Sequence, residues 1–145
     1  MSAQEQSKVL PFPMQITRRP IEPSDTSLSA KWTNCEPFIK AALEHAHGSH
    51  KMADVFASVI RGDAQFWFAE DAGLVTEVIS YPRRRTLRFW LAGGNIETLK
   101  ELEEQAIEWS KGYNCVACEI IGRRGWVRAL DGYEEAATVG VKSYV

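Results

Sequence analysis

The chain has 145 residues, 17 Lys+Arg against 19 Asp+Glu for a formal net charge of −2, and 45% hydrophobic residues including five Trp. That length makes one domain, the apolar share excludes a disordered chain, and the mild acidity excludes a dedicated nucleic-acid binder. No apolar run approaches membrane-spanning length, Met1–Ser7 lacks a signal-peptide core, and three Cys are too few for a disulfide scaffold, so the expectation is a soluble protein of a reducing cytoplasm.

Residues 1–31 read as an irregular arm punctuated by Pro11, Pro13, Pro20 and Pro23. Met14–Thr17 is expected as a short edge strand that Pro20 ends, and the rest of the arm either folds back on the domain or serves a protein partner. The domain proper is expected over residues 32–145. Asn34 is a good N-cap with Pro37 in the first turn, and Phe38, Ile39, Ala42, Leu43 and Ala46 recur at helical spacing up to Gly48. Ser49 caps a second helix, whose Met52, Val55, Phe56, Val59 and Ile60 form one apolar face before Gly62-Asp63 closes it.

The period then changes. Ala64–Ala69, Leu74–Tyr81 and Arg85–Ala92 read as three strands joined by the turns Asp71-Ala72-Gly73 and Pro82-Arg83-Arg84, which is an antiparallel meander. Asn95 caps a long helix striped by Ile96, Leu99, Leu102, Ala106, Ile107 and Trp109, with Gly112 at its end. Tyr113–Ile121 is an apolar strand with little alternation, expected to be covered on both faces. Trp126–Leu130 is a short helical turn, and Ala136–Val145 has strand character. The helix between Arg85–Ala92 and Tyr113–Ile121 is long enough for a right-handed parallel crossover. The predicted class is α+β: a mixed sheet, antiparallel meander followed by a β-α-β crossover, with helices on both faces.

The junction Leu91-Ala92-Gly93-Gly94-Asn95 is the first candidate site. An apolar strand runs into a helix N-terminus through a turn without side-chain bulk, where backbone N–H groups and the positive end of the helix dipole attract anions. The competing reading is a tight turn that needs glycine for backbone freedom.

This element order resembles the GNAT acyltransferase fold over roughly residues 32–145. Leu91–Asn95 stands where that family places its pyrophosphate loop, and Gly125-Trp126-Val127-Arg128-Ala129-Leu130-Asp131-Gly132-Tyr133-Glu134 resembles its late helix. Val75-Thr76-Glu77-Val78, Tyr81-Pro82-Arg83-Arg84-Arg85 and Gly122-Arg123-Arg124-Gly125-Trp126 resemble small GNAT-like proteins of tailed phages and prophages. The sequence departs from the family in three places. The glycines are adjacent rather than spaced, Arg128 stands where a Tyr general acid is frequent, and Arg85–Ala92 carries no acidic residue.

The resemblance implies acetyl-CoA or another acyl-CoA as donor, an amine as acceptor, and no metal. Leu91, Ala92, Gly93, Gly94 and Asn95 would hold the pyrophosphate, joined by Arg123 and Arg124, and the pantetheine arm would pair with the backbone of Arg88–Leu91. Glu77 and Glu119 are the candidate bases; the alternative for each is a salt bridge with Arg88, Arg123 or Arg124. His45, His47 and His50 do not share one helix face and gain no Cys or acidic partner, so they read as solvated helix-end histidines. Cys115 and Cys118 stand at i, i+3 in a strand and point to opposite faces. Trp126 and Tyr133 flank the Arg-rich turn. Three functions follow: an acyl-CoA-dependent N-acyltransferase of the cytoplasm; a catalytically silent virion or assembly accessory that meets its partner through residues 1–31; and a regulator that binds CoA without turnover.

Overall fold

The computed structural model describes residues 15–121, 124–137 and 139–144. Two helices, α1 (Leu28–Leu43) and α2 (Met52–Arg61), precede three strands, β1 (Gln65–Ala69), β2 (Ala72–Ser80) and β3 (Arg85–Gly94). Helix α3 (Ile96–Lys111), strand β4 (Cys115–Ile120) and helix α4 (Arg124–Ala129) follow. The sheet runs β1-β2-β3-β4, antiparallel through β3 and parallel between β3 and β4, so α3 is the crossover the sequence predicts.

Alternation along the strands divides the core in two. Phe66, Phe68, Val75 and Leu91 face α1 and α2, where Trp32, Cys35, Ile39, Val55 and Val59 are buried against them. Trp67, Leu74, Leu87 and Phe89 face α3, where Leu99, Leu102 and Ala106 meet them. Burying both faces of a sheet removes far more apolar surface from water than one face could, which is what allows a chain of this size a stable core. Trp67 is fully buried, and its indole N–H donates to Thr76 Oγ1 at 2.9 Å, so the ring's one polar atom is satisfied.

The helix boundaries differ from expectation where a strong cap signal misleads. Helix α1 begins at Leu28, and Asn34 and Pro37 lie inside it. The buried residues Leu28, Trp32, Cys35, Ile39 and Leu43 carry one continuous helical period, and packing of that stripe outweighs the bond that Pro37 cannot make. The Asn34 amide instead donates to the Glu70 carbonyl at 3.1 Å, tying α1 to the β1–β2 turn. Helix α2 starts from Lys51 rather than Ser49, with the Asp54 carboxylate accepting from Lys51 N at 2.8 Å. Asn95 does cap α3: its Oδ1 accepts from Glu97 N at 2.9 Å and Thr98 N at 3.2 Å.

The chain ends differ as well. Residues 16–21 run along the outer edge of β1, with Ile16 bridged to Ala69, Thr17 N donating to Phe68 O and Ile21 N to Phe66 O. Ile21 is buried in the α1/α2 core. Residues 1–14, Met14 of the expected strand among them, lie outside the described residues. At the other end, 136–137 and 139–144 form no strand. Strand β4, expected to be covered, is the edge of the sheet among the described residues, and Val116 is 74% exposed.

Candidate functional site

The site begins where two strands stop pairing. β3 and β4 are in register from Arg85/Cys115 to Phe89/Ile120, and β3 then continues five residues further, to Gly94, without β4 beside it. At the same point β3 carries one extra residue against β2: Thr76 pairs with Phe89 and Val75 with Leu91, so Trp90 is bulged out of the ladder. A bulge bends its strand and re-aims the side chains that follow it. Trp90 and Leu91 consequently both turn toward α1 and α2. The parting of β3 and β4 opens a cleft of about 580 Å³, counting its open mouth. Phe89, Trp90 and Ala92 of β3, with Leu74 of β2, form one wall and Ile120 and Ile121 the other; Leu99 and Glu103 of α3, Trp126 of α4 with Leu130 after it, and Ala42 and His45 complete it. Because the cleft lies beyond the paired strands, residues from both faces of the sheet line it. Its apolar lining with few polar groups suits a small-molecule site.

Ala92 is the member of the expected phosphate turn that lines this cleft. Gly93 and Gly94 are strand residues paired with Gly73 and Ala72. A Cβ on Gly93 would overlap the Phe38 carbonyl oxygen of α1, and one on Gly94 the Asp71 carbonyl oxygen, where Gly94 also has φ +108°. Asn95 N donates to Asp71 O at 2.9 Å, and Glu97 N and Thr98 N are held by the Asn95 side chain. The glycines thus seat β3 against α1 and the β1–β2 turn, and these three amides have partners within the protein. Arg123 lies outside the described residues, and Arg124 opens α4.

Glu77 and Glu119 come together around one cation. Glu77, Arg88 and Glu119 are register neighbours across β2, β3 and β4, so their side chains stand in a row on the α1/α2 face. Arg88 Nε meets Glu119 Oε2 at 3.0 Å and Arg88 Nη1 meets Glu77 Oε1 at 3.7 Å. The Tyr81 hydroxyl donates to Glu119 Oε1 at 2.9 Å and accepts from Arg88 Nη2 at 3.4 Å. Burial alone would make Arg88 easier to deprotonate; the bonds to Glu119 and Tyr81 and the nearby Glu77 charge outweigh it, and the guanidinium holds its proton more firmly than usual. Glu119 directly precedes Ile120 of the cleft wall, whereas Glu77 is two strands away.

On the α3 side, Tyr133 O–H and Cys118 Sγ lie 3.1 Å apart. Burial holds the Tyr133 phenol well above its ordinary range, with Cys118 and Glu103 adding to the shift. Burial also raises the Cys118 and Cys35 thiols. All three groups therefore keep their protons in the fold and lose them first in the unfolded chain. The native state then binds more protons than the unfolded one as pH passes the ordinary thiol value of 9.0 and the ordinary phenol value of 10.0, so stability falls with rising pH. Urea unfolding under reducing conditions should give an unfolding free energy that is level from pH 7 to 8 and declines above pH 9 through the thiols and above pH 10 through the phenol, by about 1 kcal/mol per pH unit for each group. A value unchanged to pH 10.5 would show that these groups ionise as freely in the fold as out of it.

His45 lines the cleft and the His50 ring stacks edge-on against Trp90, 4.9 Å between centroids. No group of three His, Cys, Asp or Glu among the described residues is placed to hold a metal ion, and no described helix is long and apolar enough to cross a membrane. The sequence reading missed Glu103 as a cleft residue. Its signal was its position four residues after Leu99, one turn along the same side of α3.

No family model matches the chain, and no curated protein does. Solved structures do. An aminoglycoside acetyltransferase from an uncultured soil metagenomic sample, in complex with sisomicin, superimposes with a TM-score of 0.66 at 10% identity, over 91% of this chain and 96% of that one. The chain has the GNAT fold. A protein from Bacillus halodurans, solved as a tetramutant, superimposes with a TM-score of 0.58 at 9% identity, over 91% of this chain and all of the other. Both matches cover 91% of this chain. At such identity the likeness is one of architecture.

Proposed function

We propose that the protein is a GNAT-type acyl-CoA-dependent N-acyltransferase, with donor and amine meeting in the cleft where β3 and β4 part. The observation that carries this reading is the β3 edge beyond Phe89. It is unpaired on the β4 side, bulged at Trp90, and faces an apolar cleft. An extended pantetheine amide chain adds to such an edge as a strand would. Arg88 and Phe89 already pair with Glu119 and Ile120, so the available edge starts at Trp90. The pyrophosphate then lies toward Gly93–Asn95, and Arg123 and Arg124 supply the charge that the engaged amides do not. The amine nitrogen attacks the thioester carbonyl carbon, a backbone N–H of the bulged segment stabilises the oxyanion, and the C–S bond breaks to release the thiol. Glu119 takes the amine proton. The aminoglycoside acetyltransferase likeness supports an amine acceptor of the same general kind.

Calorimetric titration of acetyl-CoA into the protein and a Trp90→Ala variant tests this. Micromolar binding that the variant loses at least tenfold while it is still folded, though melting lower, is the expected result. No heat and no thermal stabilisation at millimolar acetyl-CoA would overturn it, since a ligand that binds only the folded state must stabilise it.

Two observations favour a second reading, a catalytically silent GNAT-like protein that works through protein contacts. The Asn95, Glu97 and Thr98 amides are engaged internally, and both candidate bases are tied to Arg88. A particle or assembly role is the form suggested by the likeness to tailed-phage proteins. Here acetyl-CoA fails to bind, and removing residues 1–14 abolishes capture of the partner.

A further inference from the structure

Among the described residues, Glu103 is the one acidic side chain that lines the cleft, set there with Leu74, Phe89, Leu99 and Ile120. His45, the lining's other titratable group, follows α1, whereas Glu103 belongs to α3. None of the ion pairs among the described residues includes Glu103, and the lining holds no Lys or Arg. The Glu103 charge acts on its surroundings. Burial is the larger cause of the raised Tyr133 phenol and Cys118 thiol, and Glu103 adds to it at both, because each would become a second anion beside the first. A ligand carboxylate would meet the same opposition, which an apolar lining screens poorly.

The position of Glu103 along the cleft follows from the crossover. It stands eight residues past the Asn95 cap, about 12 Å along α3. The helix returns along the strand it follows, and that length matches about four strand residues, which sets Glu103 level with the bulge at Trp90 and Leu91.

We propose that Glu103 sets the acyl specificity of the cleft, which takes thioesters of uncharged acyl groups and rejects those that end in a carboxylate, such as succinyl or malonyl. This rests on the acyl-CoA reading above. With the pyrophosphate toward Gly93–Asn95, the charged end of the donor is about 12 Å from Glu103 and the acyl end is the part that reaches the bulge. A neutral chain meets Phe89, Leu99 and Ile120 there. A terminal carboxylate would be stripped of water by the same side chains and set against Glu103 with no cation of the lining to pair with it.

Calorimetric titration of acetyl-CoA, butyryl-CoA and succinyl-CoA into the protein tests this. Butyryl and succinyl chains have equal carbon number, so their comparison isolates the charge. Succinyl-CoA should bind about a hundredfold more weakly than butyryl-CoA. Glu103→Gln should narrow that ratio to below about tenfold, and Glu104→Gln, which removes an exposed carboxylate one residue on, should leave it unchanged. Equal affinity for butyryl-CoA and succinyl-CoA overturns the proposal and leaves the cleft reading standing. So does rejection of both beside tight acetyl-CoA binding, which would make size the criterion, and so does a ratio that survives in Glu103→Gln. Binding of none of the three overturns the acyl-CoA reading, and this inference with it.

Discussion

Gly93→Ala is expected to destabilise the protein by about 3 kcal/mol. The added Cβ meets the Phe38 carbonyl, with the Phe38 carbonyl carbon at 3.0 Å and Cα at 3.2 Å behind it, so no side chain can swing aside. Either α1 moves as a body or β3 leaves its register with β2. Urea unfolding should show a lower midpoint at unchanged slope, the mark of lost native stability rather than an altered unfolded state. Gly140→Ala is the control, since nothing lies within 4 Å of a Cβ there. This experiment also separates the two meanings of the glycine pair. A Gly93→Ala protein that melts like wild type yet fails to bind acetyl-CoA would assign Gly93 to the ligand; a destabilised one that still binds assigns it to packing.

Glu119→Gln should lower kcat/KM for acetyl transfer by about 10²–10³-fold, the range ordinary for loss of a general base, while Glu77→Gln changes it less than tenfold. The asymmetry follows from position. Glu119 adjoins the cleft wall and accepts hydrogen bonds from Tyr81 and Arg88, which fix its orientation. Glu77 meets Arg88 through Nη1, at the longer distance of 3.7 Å, and lies on β2 rather than beside Ile120. Gln keeps the volume and the acceptor oxygen of Glu119, so folding should be little changed and melting curves should overlay. Equal losses from both variants would mean that the Glu–Arg–Glu row acts as one electrostatic unit. No loss from either would place the amine proton with water.

The features that sequence made legible are those with local causes. The change from helical to alternating spacing after Gly62 locates the meander, and the Asn95 cap locates the start of α3 to the residue. The α1 boundary was hidden because Asn34 and Pro37 carry strong local signals, while the stripe from Leu28 to Leu43 that overrides them acts only once a sheet exists to receive it. The exposure of β4 was hidden for the converse reason: an apolar composition reports what a strand is able to bury and not whether a neighbour arrives. For the site, Glu77 and Glu119 were visible as carboxylates out of place in apolar strands, with Arg88 among their possible partners. The cleft itself was not visible, since it arises from the length by which β3 outruns β4 and from an unpaired residue at Trp90, neither of which leaves a compositional mark.

The bulge also constrains which chains of this architecture are viable. Trp90 resets the in–out parity of everything after it, so Gly93 points at α1 and Ala92 at the cleft because an odd residue precedes them. Losing one residue anywhere from Trp90 to Ala92 would either exchange those two faces or straighten the strand. The first places a methyl group against the Phe38 carbonyl, and the second closes the gap to β4. The seat of α1 and the mouth of the cleft therefore depend on the same extra residue.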